Sequence, residues 1–199
     1  MLLKRKKDSA GLTFRRRDRK KIKMSTVYEI TFWIVGIVAA AFVGVTLVYL
    51  FGLRTSMVGS SMEPVLSNGQ GVLLDRLSYQ FRSPQRGDVV AFYPNGNEKS
   101  HLYIKRVIGL PGETIVIKDY YVYINDTRYF MDKSDYTYEG GVAANPVILS
   151  ENEYFVLGDN RDNSEDSRSA NIGNISKDMI VGRAWLGLKT SRAKTGLIK

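Results

Sequence analysis

The chain has 199 residues, which is enough for one domain and a few appendages. Its formal net charge of +9 is concentrated at the start, because the first 23 residues hold 11 of the 29 Lys/Arg and only 2 of the 20 Asp/Glu. Cysteine is absent, which excludes disulfides and thiolate metal sites.

An uncharged and mostly apolar run follows, from Ile30 to Leu53. As a helix it would be about 36 Å long, which is enough to cross a hydrocarbon core of about 30 Å. A cleavable signal sequence has an apolar stretch of only about 7–15 residues, so this run predicts a retained anchor. Basic flanks stay in the cytoplasm, which predicts a cytoplasmic tail at 1–29, a transmembrane helix at 30–53 and an extracytoplasmic domain at 54–199. The anchor argues against the alternative that the basic tail is a nucleic-acid arm.

The part of the chain after Arg54 is predicted to be all-β. Short runs of β-branched and aromatic residues alternate with Gly, Pro and Asn turn signals. The predicted strands are Val72–Leu74, Asp88–Tyr93, Leu102–Ile108, Thr114–Lys118, Tyr121–Ile124 with a return at Tyr129–Phe130, Tyr154–Leu157 and Met179–Leu188. Residues 131–152 are polar and irregular, which predicts a small insertion.

A serine lies in a glycine-flanked turn shortly after the apolar run, in the segment Gly59 to Pro64. Ser61 is only about 8 residues beyond that run, so it is expected close to the bilayer. A nucleophile at that position suits a substrate that an apolar segment holds in the membrane. Taken alone, the segment is more typical of an ordinary turn.

Lys105 lies in the strand-like segment Tyr103 to Gly112. Lysine is depleted in strands and almost never fully buried without a partner. A buried lysine has a lowered pKa and can take a proton from a serine hydroxyl. The alternative is a lysine that protects an exposed sheet edge.

A third segment, Gly158 to Arg168, is dense in side chains that form loops and hydrogen bonds. Its carboxylates suggest calcium, but they lack the spacing of an EF-hand loop, and two arginines interrupt them. We therefore predict no metal site and no cofactor.

The three segments, in this order after an anchor, resemble the bacterial type I signal peptidases. The resemblance covers Ile30 to Leu188 and rests on four ordered matches: Gly59 to Pro64, Asp75 through Arg86–Val90, Lys105 to Gly112, and Gly158 to Arg168. It implies a membrane-bound serine endopeptidase that removes signal peptides from exported precursors. It also implies an extracellular catalytic domain on a single-pass anchor in the lipid bilayer, with the N-terminus in the cytoplasm.

The resemblance also assigns roles to residues. It implies that Ser61 is the nucleophile, Lys105 the general base, and Ser164 the hydroxyl that orients the lysine amine. The Ser61 N–H would stabilise the oxyanion; Gly59 occupies a position where some relatives supply a second hydroxyl donor.

Further positions match supporting and substrate-binding residues of the family. The implied ion pairs are Asp159 with Arg106 and Asp166 with Arg168. The residues implied to line pockets for small substrate side chains at −1 and −3 are Met57, Val58 and Ile104. The implied partners are preproteins and the bilayer, with no nucleic acid.

Two other functions are compatible with parts of the sequence. A non-catalytic, membrane-anchored assembly factor of the same fold is disfavoured by the presence of Ser61, Lys105 and Ser164. A Ser–Lys self-cleaving repressor is disfavoured by the anchor. The only histidine, His101, would lie about 13 Å from residue 105 along a strand, so we expect it to be a surface residue.

Overall fold

The computed structural model describes residues 23–51, 53–130, 136–191 and 193–198. Most of the basic tail, and residues 131–135 of the insertion, lie outside the described residues. The chain divides into two compact units, Met1–Val43 and Gly44–Lys199.

One long helix, α1 (Met24–Phe51), opens the described part of the chain. It starts before the uncharged run because Ser25, Thr26 and Glu29 are compatible with a helical backbone even though they are polar. Its large apolar side chains are exposed, including Phe32 (74%) and Trp33 (69%). Among the described residues it is the one helix that is long and apolar enough to span a membrane.

The rest of the described chain is mainly β, as the sequence predicts, with a single short helix. The elements are β1 (Leu53–Ser56), β2 (Gly71–Asp75), α2 (Ser78–Phe81), β3 (Val89–Phe92), β4 (Tyr103–Gly109), β5 (Thr114–Lys118), β6 (Tyr121–Ile124), β7 (Thr127–Arg128), β8 (Val147–Ile148), β9 (Glu153–Leu157), β10 (Ile175–Ser176), β11 (Ile180–Gly187) and β12 (Gly196–Leu197). Leu53, predicted to end the helix, begins β1.

Within the described residues the strands form two sheets. The larger has the order β1-β2-β11-β3-β4-β9-β10, with β12 paired to β11, and the smaller has the order β7-β6-β5-β8. Strand β4 lies between β3 and β9, and all of its residues after Tyr103 are buried. The first half of β4 is held by pairing with β3, and pairing with β9 begins at Arg106.

The hairpin in the smaller sheet differs from the prediction. Asn125 and Asp126 both have positive φ, 47° and 63°, as a type I′ turn requires. Such a two-residue turn places Thr127 opposite Ile124, so the returning strand is Thr127–Arg128 and not Tyr129–Phe130.

Candidate active site

The turn that carries Ser61 is fixed by its main chain. Gly59 adopts φ +81°, a conformation that favours glycine, and its N–H donates to Asn68 Oδ1 at 3.0 Å. Met57 exchanges main-chain hydrogen bonds with Gln70 and Gly69 just before the turn. The serine is thereby presented on a rigid turn.

The structure brings the Ser61 and Lys105 side chains together. Lys105 Nζ lies 2.6 Å from Ser61 Oγ and hydrogen-bonds to it. Both residues are buried, with exposures of 8% for Ser61 and 4% for Lys105. The two positions are 44 residues apart in sequence, so the fold alone creates this contact.

The position of Lys105 in β4 changes its protonation. The residue pairs with Val90 of β3. Burial disfavours the ammonium form and lowers the pKa of Lys105 from 10.5 to about 8, while the nearby carboxylates of Asp166 and Glu165 oppose part of that decrease. A substantial fraction of Lys105 is therefore neutral near physiological pH and can accept a proton.

The Gly158 to Arg168 loop holds the serine turn from the other side. The Asn160 N–H donates to the Ser61 carbonyl at 3.0 Å, and its side-chain amide donates to the Ser60 carbonyl at 3.2 Å. Asn163 Nδ2 donates to Ser60 Oγ at 2.7 Å. Sequence reasoning noted the polarity of this loop but did not identify these two asparagines as its contacts to the serine turn.

Ser61 also keeps one main-chain donor available. Within the part of the chain that the structure describes, its N–H makes no hydrogen bond, although its carbonyl is bonded to Asn160. A free donor beside a buried hydroxyl is the arrangement that an oxyanion hole requires.

The expected ion pairs are present and stiffen the loop. Arg106 binds Asp159 through two bonds of 2.7 Å each, and both residues are buried. Asp166 is fully buried, accepts bonds of 2.8 and 3.0 Å from Arg168, and accepts the Gly158 N–H. Asp159 therefore ties the loop to β4, and Asp166 holds two parts of the loop together.

Ser164 lies in the same loop, but its expected hydrogen bond to the lysine is not formed. Its Oγ is buried and has no hydrogen-bond partner among the described residues. The hydroxyl faces Gly158: a Cβ built on that glycine would lie 2.2 Å from Ser164 Oγ and 2.5 Å from the Ser61 carbonyl oxygen. Glycine at position 158 therefore allows the serine turn and the loop to approach each other.

A cleft of about 270 Å³ opens beside Ser61 and Lys105. It is lined by residues 57–61, by residues 101–105 at the start of β4, and by Asn163 and Glu165 of the loop. Of the expected pocket residues, Met57 (3% exposed) and Ile104 (2%) are buried, whereas Val58 (64%) is exposed at the rim.

His101 also lines this cleft, at the end of β4 away from Lys105. It is exposed, and no hydrogen bond from its side chain is formed to any described residue. Among these residues there is also no group of three or more His, Asp or Glu side chains that could hold a metal ion.

Comparison with known proteins identifies the family of this chain. The family model described as "Signal peptidase, peptidase S26" matches residues 29–188. A probable signal peptidase I-2 from Synechocystis sp. is 35% identical over 149 residues, which cover 68% of this chain and 65% of that relative. Signal peptidase I P from Bacillus subtilis subsp. natto is 34% identical over 181 residues, which cover 83% of this chain and 90% of that relative.

A crystal structure of a signal peptidase I from Enterococcus faecalis also matches, at 34% identity, with a TM-score of 0.42 and coverage of 51% of this chain and 97% of that one. From the family match and the identity to the Bacillus protein, the chain is a serine peptidase, and it belongs to the S26 family of signal peptidases.

Proposed function

We propose that this protein cleaves signal peptides from exported preproteins with a catalytic dyad formed by Ser61 and Lys105. The observation that carries the proposal is the 2.6 Å contact between Ser61 Oγ and the Nζ of a buried lysine. Burial keeps that amine partly neutral, which a general base requires.

In the proposed reaction Ser61 Oγ attacks the carbonyl carbon of the scissile bond while Lys105 Nζ accepts the hydroxyl proton. The C–N bond then breaks, and Lys105 returns the proton to the departing amine. Water attacks the acyl-enzyme by the same route and releases the signal peptide. The free N–H of Ser61 supports the oxyanion, and Gly59 adds no side-chain donor.

The cleft supports a preference for small substrate side chains. Met57 and Ile104 form its buried floor, and a volume of about 270 Å³ leaves little room beyond an extended backbone. We propose that the substrate lies along β4 as an added strand, with small residues at −1 and −3.

The exposed apolar surface of α1 supports an anchoring role, because a soluble protein would bury such a helix. We propose that α1 spans the cytoplasmic membrane once, with the N-terminus in the cytoplasm and the catalytic domain outside. Protease added to intact spheroplasts should then digest the catalytic domain and spare a tag at Met1. Digestion of the tag alone would show the opposite orientation, with the catalytic domain in the cytoplasm.

The direct test of activity uses the full chain in detergent and a precursor with an Ala-x-Ala site. Wild type should release the signal peptide, and Ser61→Ala should not. Ser60→Ala is the matched control, and it should retain most activity because its hydroxyl does not contact Lys105. Equal product from wild type and Ser61→Ala would refute the catalytic proposal.

A further inference from the structure

A second cavity, of about 450 Å³, lies against the Gly158 to Arg168 loop. Its walls are residues 138–141 on one side and residues 161–169 of the loop and its continuation on the other. It is larger than the cleft beside Ser61. The proposed reaction of Ser61 and Lys105 does not involve this second cavity.

The outer wall of this cavity is firmly attached to the loop. Arg161 Nη1 donates to Thr137 Oγ1 at 3.0 Å, and the Val142 N–H donates to the Arg168 carbonyl at 2.9 Å. A Cβ on Gly141 would lie 2.2 Å from that same carbonyl oxygen. Segment 137–142 is therefore held against the Gly158 to Arg168 loop by hydrogen bonds and close packing, although its sequence predicts only an irregular insertion.

The two cavities meet at three consecutive residues. Asn163 and Glu165 line the cleft beside Lys105, whereas Ser164 between them lines the second cavity. Ser164 has extended backbone angles, φ −141° and ψ 123°, so successive side chains point to opposite sides. Residues 163–165 therefore separate the two cavities, with the cleft beside Lys105 on one side and the second cavity on the other.

The direction of the cleft indicates which part of a substrate reaches the second cavity. The cleft runs along β4 from His101 to Lys105, and the reacting groups are at its Lys105 end. A peptide that fills the cleft with the residues before the scissile bond would leave it beside the reacting serine. Ser164 lies next to that serine, because a Cβ on Gly158 would contact both Ser164 Oγ and the Ser61 carbonyl oxygen, and Ser164 lines the second cavity.

We propose that this second cavity binds the first residues of the mature chain, those immediately after the scissile bond. The inference rests on the proposed function and extends it to the leaving-group side of the substrate. Tyr138 offers an aromatic wall that is 66% exposed, and its ring packs on Tyr120 with the centroids 5.7 Å apart. An extended peptide leaving the cleft gains contact with this wall.

The charges of the cavity favour uncharged or basic side chains after the cleavage site. Glu139 and Asp162 line the cavity, are exposed, and form no ion pair with any residue that the structure describes. The Arg168 guanidinium is instead turned toward Asp166 and main-chain carbonyls. The Arg161 guanidinium, which also lines the cavity, is buried and donates to the Gly158 carbonyl and to Thr137 Oγ1. An acidic residue shortly after the scissile bond would therefore face two exposed carboxylates and two guanidinium groups that are already hydrogen-bonded within the protein.

The test compares two peptide substrates with the same residues before the cleavage site. One ends in an amide after residue +1, and the other continues to +5 with neutral residues. For the wild-type full chain we expect the longer peptide to have a kcat/KM about tenfold higher, since remote contacts made in the transition state raise that constant. The ratio of the two values cancels any general loss of activity in a variant.

Tyr138→Ala should bring this ratio close to one, and Ser169→Trp, which fills the cavity from the loop side, should do the same. Phe81→Ala is the matched control, because Phe81 is 82% exposed and lines neither cavity. Its ratio should equal that of the wild type. Equal kcat/KM for the two peptides in the wild type would overturn this inference and leave the proposed function intact.

A charged version of the longer peptide gives a second readout. Aspartate at +2 should lower kcat/KM for wild type, and Glu139→Gln should recover part of that loss. Recovery by Glu151→Gln, an exposed carboxylate outside the cavity, would contradict the inference. Failure of both neutral peptides to be cleaved in a Ser61-dependent manner would overturn the proposed function and this inference with it.

Discussion

Strand β4 and the Gly158 to Arg168 loop meet at Lys105, and they are held by different forces. Lys105 is fixed by strand pairing with β3 and by burial, and the burial also lowers its pKa. The loop contains little regular structure and is fixed by buried charges and asparagine contacts. Apolar burial therefore controls the chemistry of the base, whereas polar contacts control the geometry around it.

This difference predicts that changes at Lys105 alter the chemistry and that loss of the loop's buried ion pairs lowers mainly stability. The largest effect is expected for Lys105→Arg. A guanidinium keeps its proton near neutral pH, so the rate should fall by about a thousandfold or more while the protein still folds. Precursor cleavage and far-UV circular dichroism would be measured together, with Lys118→Arg, an exposed lysine at the end of β5, as the control. Measurable turnover by Lys105→Arg at any pH would contradict a lysine base.

Asp159→Asn tests how much the buried ion pair with Arg106 stabilises the protein. It leaves the Arg106 charge buried without its carboxylate, which should lower the free energy of unfolding by about 3–5 kcal/mol. Chemical denaturation of the full chain in detergent measures this loss. Asp126→Asn is the control, because Asp126 is exposed in a turn whose left-handed backbone asparagine tolerates. A loss as small as the control's would mean that the ion pair does not hold the loop.

The lowered pKa of Lys105 also predicts a pH-dependent stability. Between pH 8 and 10.5 the folded state binds fewer protons than the unfolded state, so the free energy of unfolding rises with pH in that window. Below that window the full cost of burying Lys105 lowers the stability. A shift from 10.5 to about 8 corresponds to about 3 kcal/mol.

The stability difference between the wild type and Lys105→Met should therefore change by this amount between pH 8 and 10.5, in favour of the wild type at high pH. Denaturation curves at several pH values would measure it. A constant difference would show that Lys105 keeps its ordinary pKa in the folded state.

Ser164→Ala should separate stability from activity. The hydroxyl has no hydrogen-bond partner among the residues that the structure describes, so we expect the free energy of unfolding to change by less than about 0.5 kcal/mol. If Ser164 orients the Lys105 amine during catalysis, loss of that bond should lower kcat/KM about tenfold. Ser150→Ala, on the exposed surface, provides the control. An unchanged kcat/KM would remove Ser164 from the proposed mechanism.

The regular strands were predictable because their own residues specify them. Thr114–Lys118 and Tyr121–Ile124 have the predicted bounds, and β4 differs by one residue at each end. Strand β1 was missed, since Leu-Arg-Thr-Ser has only one large apolar residue and is a strand because it pairs with β2. The two-residue strands β8, β10 and β12 likewise depend on their partners.

The pair Ser61 and Lys105 was more predictable from the sequence than the loop contacts around it. The resemblance indicated Ser61 and Lys105, and their contact in the structure agrees with the proposed pairing. The asparagine contacts to the serine turn, and the wall at residues 137–142, were not predictable. They join residues that are 24 to 103 positions apart in sequence, and such contacts leave no periodic pattern.

The most direct test of a neutral, buried lysine base is the pH dependence of kcat/KM for the wild type on a small precursor peptide. This profile reports the pKa of the essential base in the free enzyme. We expect activity to rise with increasing pH through a single proton loss centred near the value of about 8 that burial gives Lys105, and His101→Ala should show the same profile. A rise centred near the histidine value of about 6.5 that disappears in His101→Ala would contradict the account.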